Sequence, residues 1–243
     1  MFSLYKKELQ SYFYSPFAYI ICALFLLIFS LVFVNGISNI ATPIYTFSFS
    51  DIFYNNFFYF IFLIPVLTMR SFAEERKTGT ETLLLSSPIS IPKIVLGKFL
   101  AIGTVFLLMI TLSFIYPFIT ALLGQVYLSS LICSYIGFFS MGLLCIAIGM
   151  LMSAFTDNPI IAAVTGEAAM VVLLFLDKFS QSDMIQSVPF FKSALSVFAT
   201  QTRFNMFSMG IIRLNDLIFF ITSIAVVLAW VIIANARRRW NRG

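Results

Sequence analysis

The sequence contains no histidine and few charged residues, and its three cysteines are isolated from one another. Without imidazole the chain cannot form a Ser-His-Asp or Cys-His catalytic site, or a histidine-ligated zinc site. Cys22, Cys133 and Cys145 lie within apolar runs and lack C-x-x-C spacing, which is typical of small buried hydrophobic residues.

Charged residues make up 10% of the chain and hydrophobic residues 60%, whereas a soluble domain is about a quarter charged. The mean hydropathy is +1.00. This composition predicts a membrane protein and excludes disordered, collagen-like and disulfide-rich chains.

Apolar runs long enough to cross a bilayer occur six times in the sequence. Outer-membrane strands would instead show shorter segments of alternating polarity. We therefore predict an all-α, polytopic membrane protein that forms a single domain over 1–243. Its six transmembrane helices are predicted at about 17–35, 52–69, 99–122, 129–153, 159–176 and 216–235.

Basic residues concentrate in the N-terminal segment, between the second and third runs, and after the last run. The positive-inside rule then predicts that both termini are cytoplasmic. The net charge of +5 is explained by attraction to anionic lipid headgroups, so no nucleic-acid partner is predicted.

Residues 1–15 place Phe2, Tyr5, Leu9 and Tyr12 at helical spacing, with polar residues between them. This pattern predicts an amphipathic helix that lies in the membrane interface and ends near Pro16. The alternative is a simple extension of the first membrane helix.

The segment 70–98 carries most of the charge between the second and third runs. Gly79 is expected to end one helix, and Thr78 and Glu81 have capping-box spacing for a second, short helix that carries Leu84. Its leucines need a cover that flanking polar residues do not give, so another protein surface is one interpretation. A solvated connector is the other.

Residues 177–215 form the predicted external segment before the last membrane helix. Phenylalanine and isoleucine alternate there with polar residues, which predicts amphipathic helices on or in the outer leaflet. The segment is interpreted either as an outer gate or as a connector that follows the membrane surface.

The stretch FAEERKTGTETLLLSSPIS at 72–90, followed by KIVLGKFL at 93–100, resembles the characteristic motif of type-2 ABC exporter permeases. The likeness continues in KKEL at 6–9 and AIGMLMS at 147–153, and it is closest to the gliding-motility-associated permease subgroup. The resemblance implies a bacterial cytoplasmic membrane location and a coupling surface for a separate ATPase subunit. That surface would comprise Glu74, Glu75, Gly79, Thr80, Glu81 and Leu84.

The phosphate-binding pattern G-x-x-x-x-G-K-[ST] is missing, because Gly97-Lys98 is followed by Phe99. The chain is therefore predicted to be no enzyme and to hold no cofactor itself. ATP and Mg²⁺ would be bound by the partner ATPase, and a second permease copy or a paralogue would complete the pathway.

Glu167 is the one ionisable residue deep within a predicted membrane helix. A carboxylate there is costly, so we expect it to be protonated and to face protein or water. It is interpreted either as part of the dimer junction or pathway, or as a structural carboxyl group.

These features predict the permease subunit of an ATP-driven exporter. The alternative is a membrane scaffold, in a motility or secretion assembly, whose ATPase does mechanical work. An intramembrane enzyme is disfavoured because Glu167 has no second catalytic group at its depth. Exporters of lipids, glycans, peptides and drugs share the six-helix pattern, so it leaves the substrate open.

Overall fold

The computed structural model describes residues 2–39, 53, 59–81, 89–123, 128–180 and 200–241. These residues form helices and turns and contain no strand. The helices in chain order are α1 (Phe2–Tyr14), α2 (Pro16–Asn39), α3 (Tyr59–Thr68), α4 (Ala73–Lys77), α5 (Ile91–Leu112), α6 (Ile115–Leu123), α7 (Leu128–Phe155), α8 (Pro159–Ser180), α9 (Thr200–Ser208) and α10 (Leu214–Asn241). The all-α prediction is confirmed for this part of the chain.

Four helical stretches in the described residues are long and apolar enough to cross a membrane. They are Pro16–Ile37, Ile91–Leu122, Leu128–Phe155 and Leu214–Arg238, and a shorter apolar helix covers Pro159–Leu173. These stretches overlap five of the six predicted membrane helices. The remaining predicted helix, 52–69, is described at residue 53 and from residue 59 onwards. The length and apolar composition of these helices are those of a multi-pass membrane protein.

The third predicted membrane helix begins earlier than expected and is interrupted. It starts at Ile91, and a turn at Ser113 and Phe114 separates α5 from α6. Pro117 has no amide hydrogen with which to donate to the Ser113 carbonyl, which accepts instead from the Tyr116 N–H at 3.2 Å. The Ser113 hydroxyl donates to the Ile110 carbonyl at 2.7 Å. The proline and the serine together account for the break.

One end of the helix bundle carries both described termini, and we call it the basal end. There Glu8 of α1 meets Lys98 of α5, and Arg238 of α10 meets Asp157 beyond the end of α7. The opposite, distal end holds the start of α7 and the turn before α10, where Gly210 lies against Ser130. Helices α2, α5 and α8 therefore begin at the basal end, whereas α3, α7 and α10 end there.

Phe138 in α7 lies at the centre of the bundle and is 0% exposed. Its ring centroid lies 4.7 Å from that of Phe60 in α3, 6.1 Å from that of Phe106 in α5 and 6.4 Å from that of Phe25 in α2. Such tilted and offset ring pairs stabilise a packed core beyond the area that they bury. Helix α7 is thus the central helix of the described bundle.

The N-terminal helix α1 is packed against α5 rather than separate from the bundle. Leu4 and Tyr12 are buried, and the Tyr5 hydroxyl lies 3.0 Å from the Thr104 hydroxyl oxygen. The helix ends at Tyr14, as the sequence predicted, but its buried face is not quite the predicted one. Phe2, which was assigned to the apolar face, is 77% exposed, whereas Leu4 packs on Gly97.

Candidate functional site

The candidate site is the segment that follows α3 at the basal end. Residues 69–72 form turns, α4 covers Ala73–Lys77, and Gly79 follows with φ of 74°. A residue with a side chain adopts this left-handed conformation at a cost, so glycine suits the end of α4. The prediction that Gly79 ends a helix is confirmed, but that helix is the short α4 and not a continuation of α3, which ends at Thr68.

Thr78 supports the same helix end. Its hydroxyl donates to the carbonyl oxygens of Glu74 and Glu75 at 2.9 and 3.3 Å, and its backbone N–H also donates to the Glu74 carbonyl, so Thr78 satisfies acceptors in the last turn of α4. The capping-box prediction assigned this side chain to the start of a second helix, most of which lies outside the described residues, so that assignment stays a prediction.

Arg76 joins the segment to two long helices. Its Nη1 donates to the carbonyl oxygens of Ser153, Ala154 and Thr156 at 3.2, 2.7 and 3.0 Å. These carbonyls lie at the C-terminus of α7, where no intrahelical donors remain and the helix dipole attracts a cation. Nη2 donates to Asn235 Oδ1 of α10 at 3.0 Å.

The Arg76 guanidinium is almost completely enclosed, since its side chain is 2% exposed. Burial lowers the pKa of Arg76, and the hydrogen bond from Nε to Glu81 at 3.0 Å opposes this change. Guanidinium groups stay charged in proteins, so the buried cation needs all of these acceptors.

Two further contacts fasten the segment to α7 just above Arg76. The Ser153 hydroxyl accepts from the backbone N–H groups of Phe72 and Ala73 at 3.2 and 3.1 Å and donates to the Met69 carbonyl at 3.1 Å. One turn earlier in α7, Gly149 is so close to Thr68 that an added Cβ would lie 2.1 Å from Oγ1. The segment therefore follows the basal end of α7 over two turns.

Lys98 links the segment to α1 and α5. Its ammonium lies 3.0 Å from Glu8 Oε1 and 2.7 Å from Glu75 Oε1, and Lys98 is 2% exposed. The ammonium also lies 5.5 Å from the centre of the Phe72 ring. Buried lysines are rare unless they are paired, and here two carboxylates from different elements supply the pairing.

Burial raises the pKa of Glu75, and the charge and hydrogen bond of Lys98 lower it again only in part. The second carboxylate oxygen, Oε2, is buried and has no hydrogen-bond partner among the described residues. The carboxylate is therefore ion-paired on one oxygen and desolvated on the other, and that desolvation disfavours its charged form.

Glu74 pairs with Arg70 on the more exposed side of the segment. Arg70 Nε and Nη2 donate to the two carboxylate oxygens at 2.5 and 2.6 Å, and this hydrogen bonding raises the pKa of Arg70. Arg70 also donates to the Ser15 hydroxyl at 3.2 Å and lies over the Phe17 ring. This arginine thus contacts the junction between α1 and α2.

The predicted coupling residues divide into an outer and an inner group. Gly79 and Thr80 are exposed, together with Lys77 and Thr78, and Glu74 is 37% exposed in its side chain. Glu75 and Glu81 are turned into the protein, with side-chain exposures of 18% and 8%. Leu84 and the predicted helix around it lie outside the described residues.

Glu167 lies in α8, outside this segment. It is half-buried, and no described residue forms a hydrogen bond or ion pair with it. The neighbouring Gly166 lies against Pro65 of α3, where an added Cβ would be 3.0 Å from the proline Cβ. The structure thus confirms close packing of α8 on α3 beside this carboxyl group, and its role stays a prediction.

At the distal end, α9 covers the start of α7. Phe204 and Phe207 are 0% exposed, and Phe207 lies against Gly137. Arg203 Nη1 donates to Asp216 Oδ1 at 2.8 Å, and Asp216 lies in the first turn of α10. The sequence predicted amphipathic helices on or in the outer leaflet here, whereas Phe204 and Phe207 of α9 are buried against the protein.

Arg76 and Lys98 were not among the predicted site residues. The sequence treated both as members of a basic cluster on the cytoplasmic side, because single basic residues next to membrane helices are usually solvated. The position of Lys98 could have indicated its role. It lies seven residues after the start of a helix that begins at Ile91, and a lysine inside a buried helix is expected to be paired.

The family model described as "ABC-2 family transporter protein" matches residues 36–235, which is more than half of the chain. No curated protein matches the sequence. The match covers the candidate segment and its contact residues on α5, α7 and α10. The chain therefore belongs to the ABC-2 transporter family and is a membrane permease subunit of an ABC transporter.

Proposed function

We propose that this chain is the permease subunit of an ATP-driven exporter and that residues 70–84 receive a separate ATPase subunit at the basal end. The observation that carries this proposal is the division of the segment into an exposed tip and a buried base. The tip, 77–80, is exposed to solvent, and the base is fixed to α5, α7 and α10 through Lys98, Ser153 and Arg76.

Such a division suits the transfer of motion. A loop that was solvated along its whole length would move without displacing the membrane helices. A segment with buried ion pairs resists local opening, because separating the paired charges leaves each of them desolvated. Glu74, Gly79, Thr80 and Leu84 are proposed to contact the ATPase, while Glu75 and Glu81 hold the segment from inside.

The remaining features of the proposal concern the assembly. The four candidate membrane spans, together with α3 and α8, would give six crossings, with both termini at the basal, cytoplasmic side of a bacterial inner membrane. A second copy or a paralogue would pack beside this chain, with Glu167 at the junction or pathway. Apolar faces on α2, α8 and α10 are exposed in the single chain, which supports a cover of lipid or a second subunit.

The proposal is tested on the complex isolated from its native host through a tag on this chain and placed in liposomes. Thr80→Trp adds bulk at the exposed tip and keeps the ion pairs of the buried base, although it removes the hydroxyl contacts of Thr80 with Thr78 and the Glu75 carbonyl. Arg213→Trp is the matched control at an exposed distal position. We expect the distal variant to keep ATP hydrolysis by the complex and the tip variant to lose most of it.

Two outcomes contradict the proposal in different ways. If no ATP-hydrolysing subunit is isolated with the wild-type chain, or if the two variants behave alike, the basal segment is not the docking site. If the tip variant loses hydrolysis but the wild-type complex moves no amphiphile across the vesicle membrane in a lipid-flip assay, the scaffold interpretation gains support over the exporter.

A further inference from the structure

We propose that Arg76 is the positioning residue through which residues 70–84, here called the docking segment, move α7 and α10 together. In this proposal the hydrogen bond from Arg76 to Asn235 transmits the motion to α10. This inference rests on the proposed function, because it names the route by which motion at the tip reaches the membrane helices. It concerns a residue that touches neither nucleotide nor transported molecule.

The first step is the distribution of the arginine's donors. Nε is bound to Glu81 within the segment, Nη1 to three carbonyls of α7 and its end, and Nη2 to α10. Each nitrogen of one rigid, planar group therefore serves a different element. A planar guanidinium cannot change one of these bonds without rotating the others.

The second step concerns the receiving atoms. The α7 acceptors are backbone carbonyls at a helix C-terminus, so they move only when the helix itself moves. Asn235 is 5% exposed, and its own side-chain N–H donates to the Val231 carbonyl at 2.8 Å. The amide is thus held in place by α10 and transmits displacement to that helix.

The third step excludes a different route. Arg70 is the other arginine of the segment, and among the described residues it contacts Glu74, Ser15 and Phe17 rather than α7 or α10. Two arginines six positions apart therefore connect the segment to different helices. This difference supplies a matched control within the chain.

The test measures ATP-dependent movement of α7 and α10 by spin-label distances in the complex from the native host. Cys22, Cys133 and Cys145 are replaced by alanine, and labels are placed at exposed positions. Tyr19 on α2 is the reference, paired with Phe155 at the end of α7 or with Ile233 on α10. Distances are recorded without nucleotide and with ATP and orthovanadate.

In the chain with native Arg76, both distances are expected to shift on trapping with ATP and orthovanadate. In Arg76→Gln both shifts are expected to fall to less than about half, whereas Arg70→Gln is expected to retain them. In Asn235→Ala, the Tyr19–Ile233 shift is expected to be lost and the Tyr19–Phe155 shift retained. A purely structural role would alter the distances without nucleotide but would not separate the two shifts in this way.

Retention of both shifts in Arg76→Gln overturns the inference and leaves the proposed function intact. If Arg76→Gln does not assemble, Asn235→Ala decides, because equal behaviour of the two shifts in that variant overturns the route to α10. If the complex with native Arg76 binds ATP and orthovanadate but shows no shift, the proposed function fails and the inference fails with it.

Discussion

The Lys98 ammonium lies 2.7 Å from the Glu75 carboxylate although Lys98 is 2% exposed. Glu8 completes the cluster at 3.0 Å. The three residues come from α5, α4 and α1, so one buried cation holds these three helices together. Removing that cation leaves two carboxylates close together in a desolvated place.

We therefore expect Lys98→Met to destabilise the protein by about 3–5 kcal/mol, the cost of breaking a buried ion pair from one side. The measurement is thermal unfolding of the purified protein in detergent. Lys93→Met is the matched control, because Lys93 lies in the first turn of the same helix and is exposed.

The charges can also be removed together. The triple variant Lys98→Met, Glu8→Gln, Glu75→Gln should regain much of the lost stability, since neutral groups carry no large desolvation cost. Equal unfolding temperatures for Lys98→Met and Lys93→Met would show that the cluster does not hold the basal end.

The pH dependence of stability tests the state of Glu75. Because its pKa is raised in the folded protein, the folded chain takes up this proton at a higher pH than the unfolded chain does. The resulting stabilisation is fully present below the unfolded pKa and is lost as the pH rises through the folded pKa.

We expect the stability of the wild type relative to Glu75→Gln to increase as the pH is lowered from about 8 towards about 5. Thermal unfolding of both proteins over this range gives the measurement. The chain has no histidine, so no imidazole titrates in the same window. A relative stability that falls with decreasing pH would mean that the pKa of Glu75 is lowered rather than raised.

Gly149 tests the close approach of α3 and α7. In Gly149→Ala the new Cβ would lie 2.1 Å from Thr68 Oγ1, 3.0 Å from its Cβ and 3.2 Å from its Cγ2, so rotation of the threonine cannot relieve the overlap. We expect a destabilisation of about 1–3 kcal/mol from overpacking.

Gly103→Ala serves as the control for Gly149→Ala, because its added Cβ meets only the flexible end of Leu143 at 3.3 Å. Denaturant or thermal unfolding in detergent compares the two variants. If they are equally stable, the helices separate readily at Thr68, and the docking segment is not rigidly seated on α7.

The distal ion pair should stabilise α9 without affecting the basal end. In Arg203→Met the buried Asp216 loses its cation, and we expect the opening free energy of α9 to fall by about 1–3 kcal/mol. Hydrogen exchange measured by mass spectrometry should report faster exchange in 200–208 and unchanged exchange in 73–77, since distant sites act independently.

Arg213→Met, at an exposed position, should leave the exchange of both segments unchanged. Faster exchange at 73–77 in Arg203→Met would instead mean that the two ends of the bundle are energetically coupled in the resting protein.

Membrane-helix positions were predictable from the sequence because long apolar runs have one dominant physical meaning. The start of α2 at Pro16 and the end of α4 before Gly79 followed in the same way from proline and glycine. The start of α5 at Ile91 agrees with two sequence signals, because Ser90 can cap a helix and Pro92 is tolerated in a first turn. The membrane run itself was placed only from residue 99, since Lys93 and Lys98 interrupt the apolar residues and a lysine paired in the folded chain looks like a solvated one in the sequence.

The sequence motif located the candidate segment, but it did not predict which of its side chains face into the protein. Glu75 and Glu81 face inwards because Lys98 and Arg76 approach them from the start of α5 and from within the segment. The acceptors of Arg76 on α7 and α10 are 77 to 159 positions away in the chain. Such pairings depend on helix packing, which no local pattern encodes.

The central claim is that the exposed tip of the segment contacts a separate ATPase subunit. The most direct measurement places a photo-crosslinking amino acid at Thr80 in cells of the native host and identifies the crosslinked chain by mass spectrometry. Position 213 at the distal end is the control. The account predicts that position 80 captures a protein with a phosphate-binding loop and that position 213 does not. Absence of such a crosslink at position 80, with the assembled complex present, would contradict it.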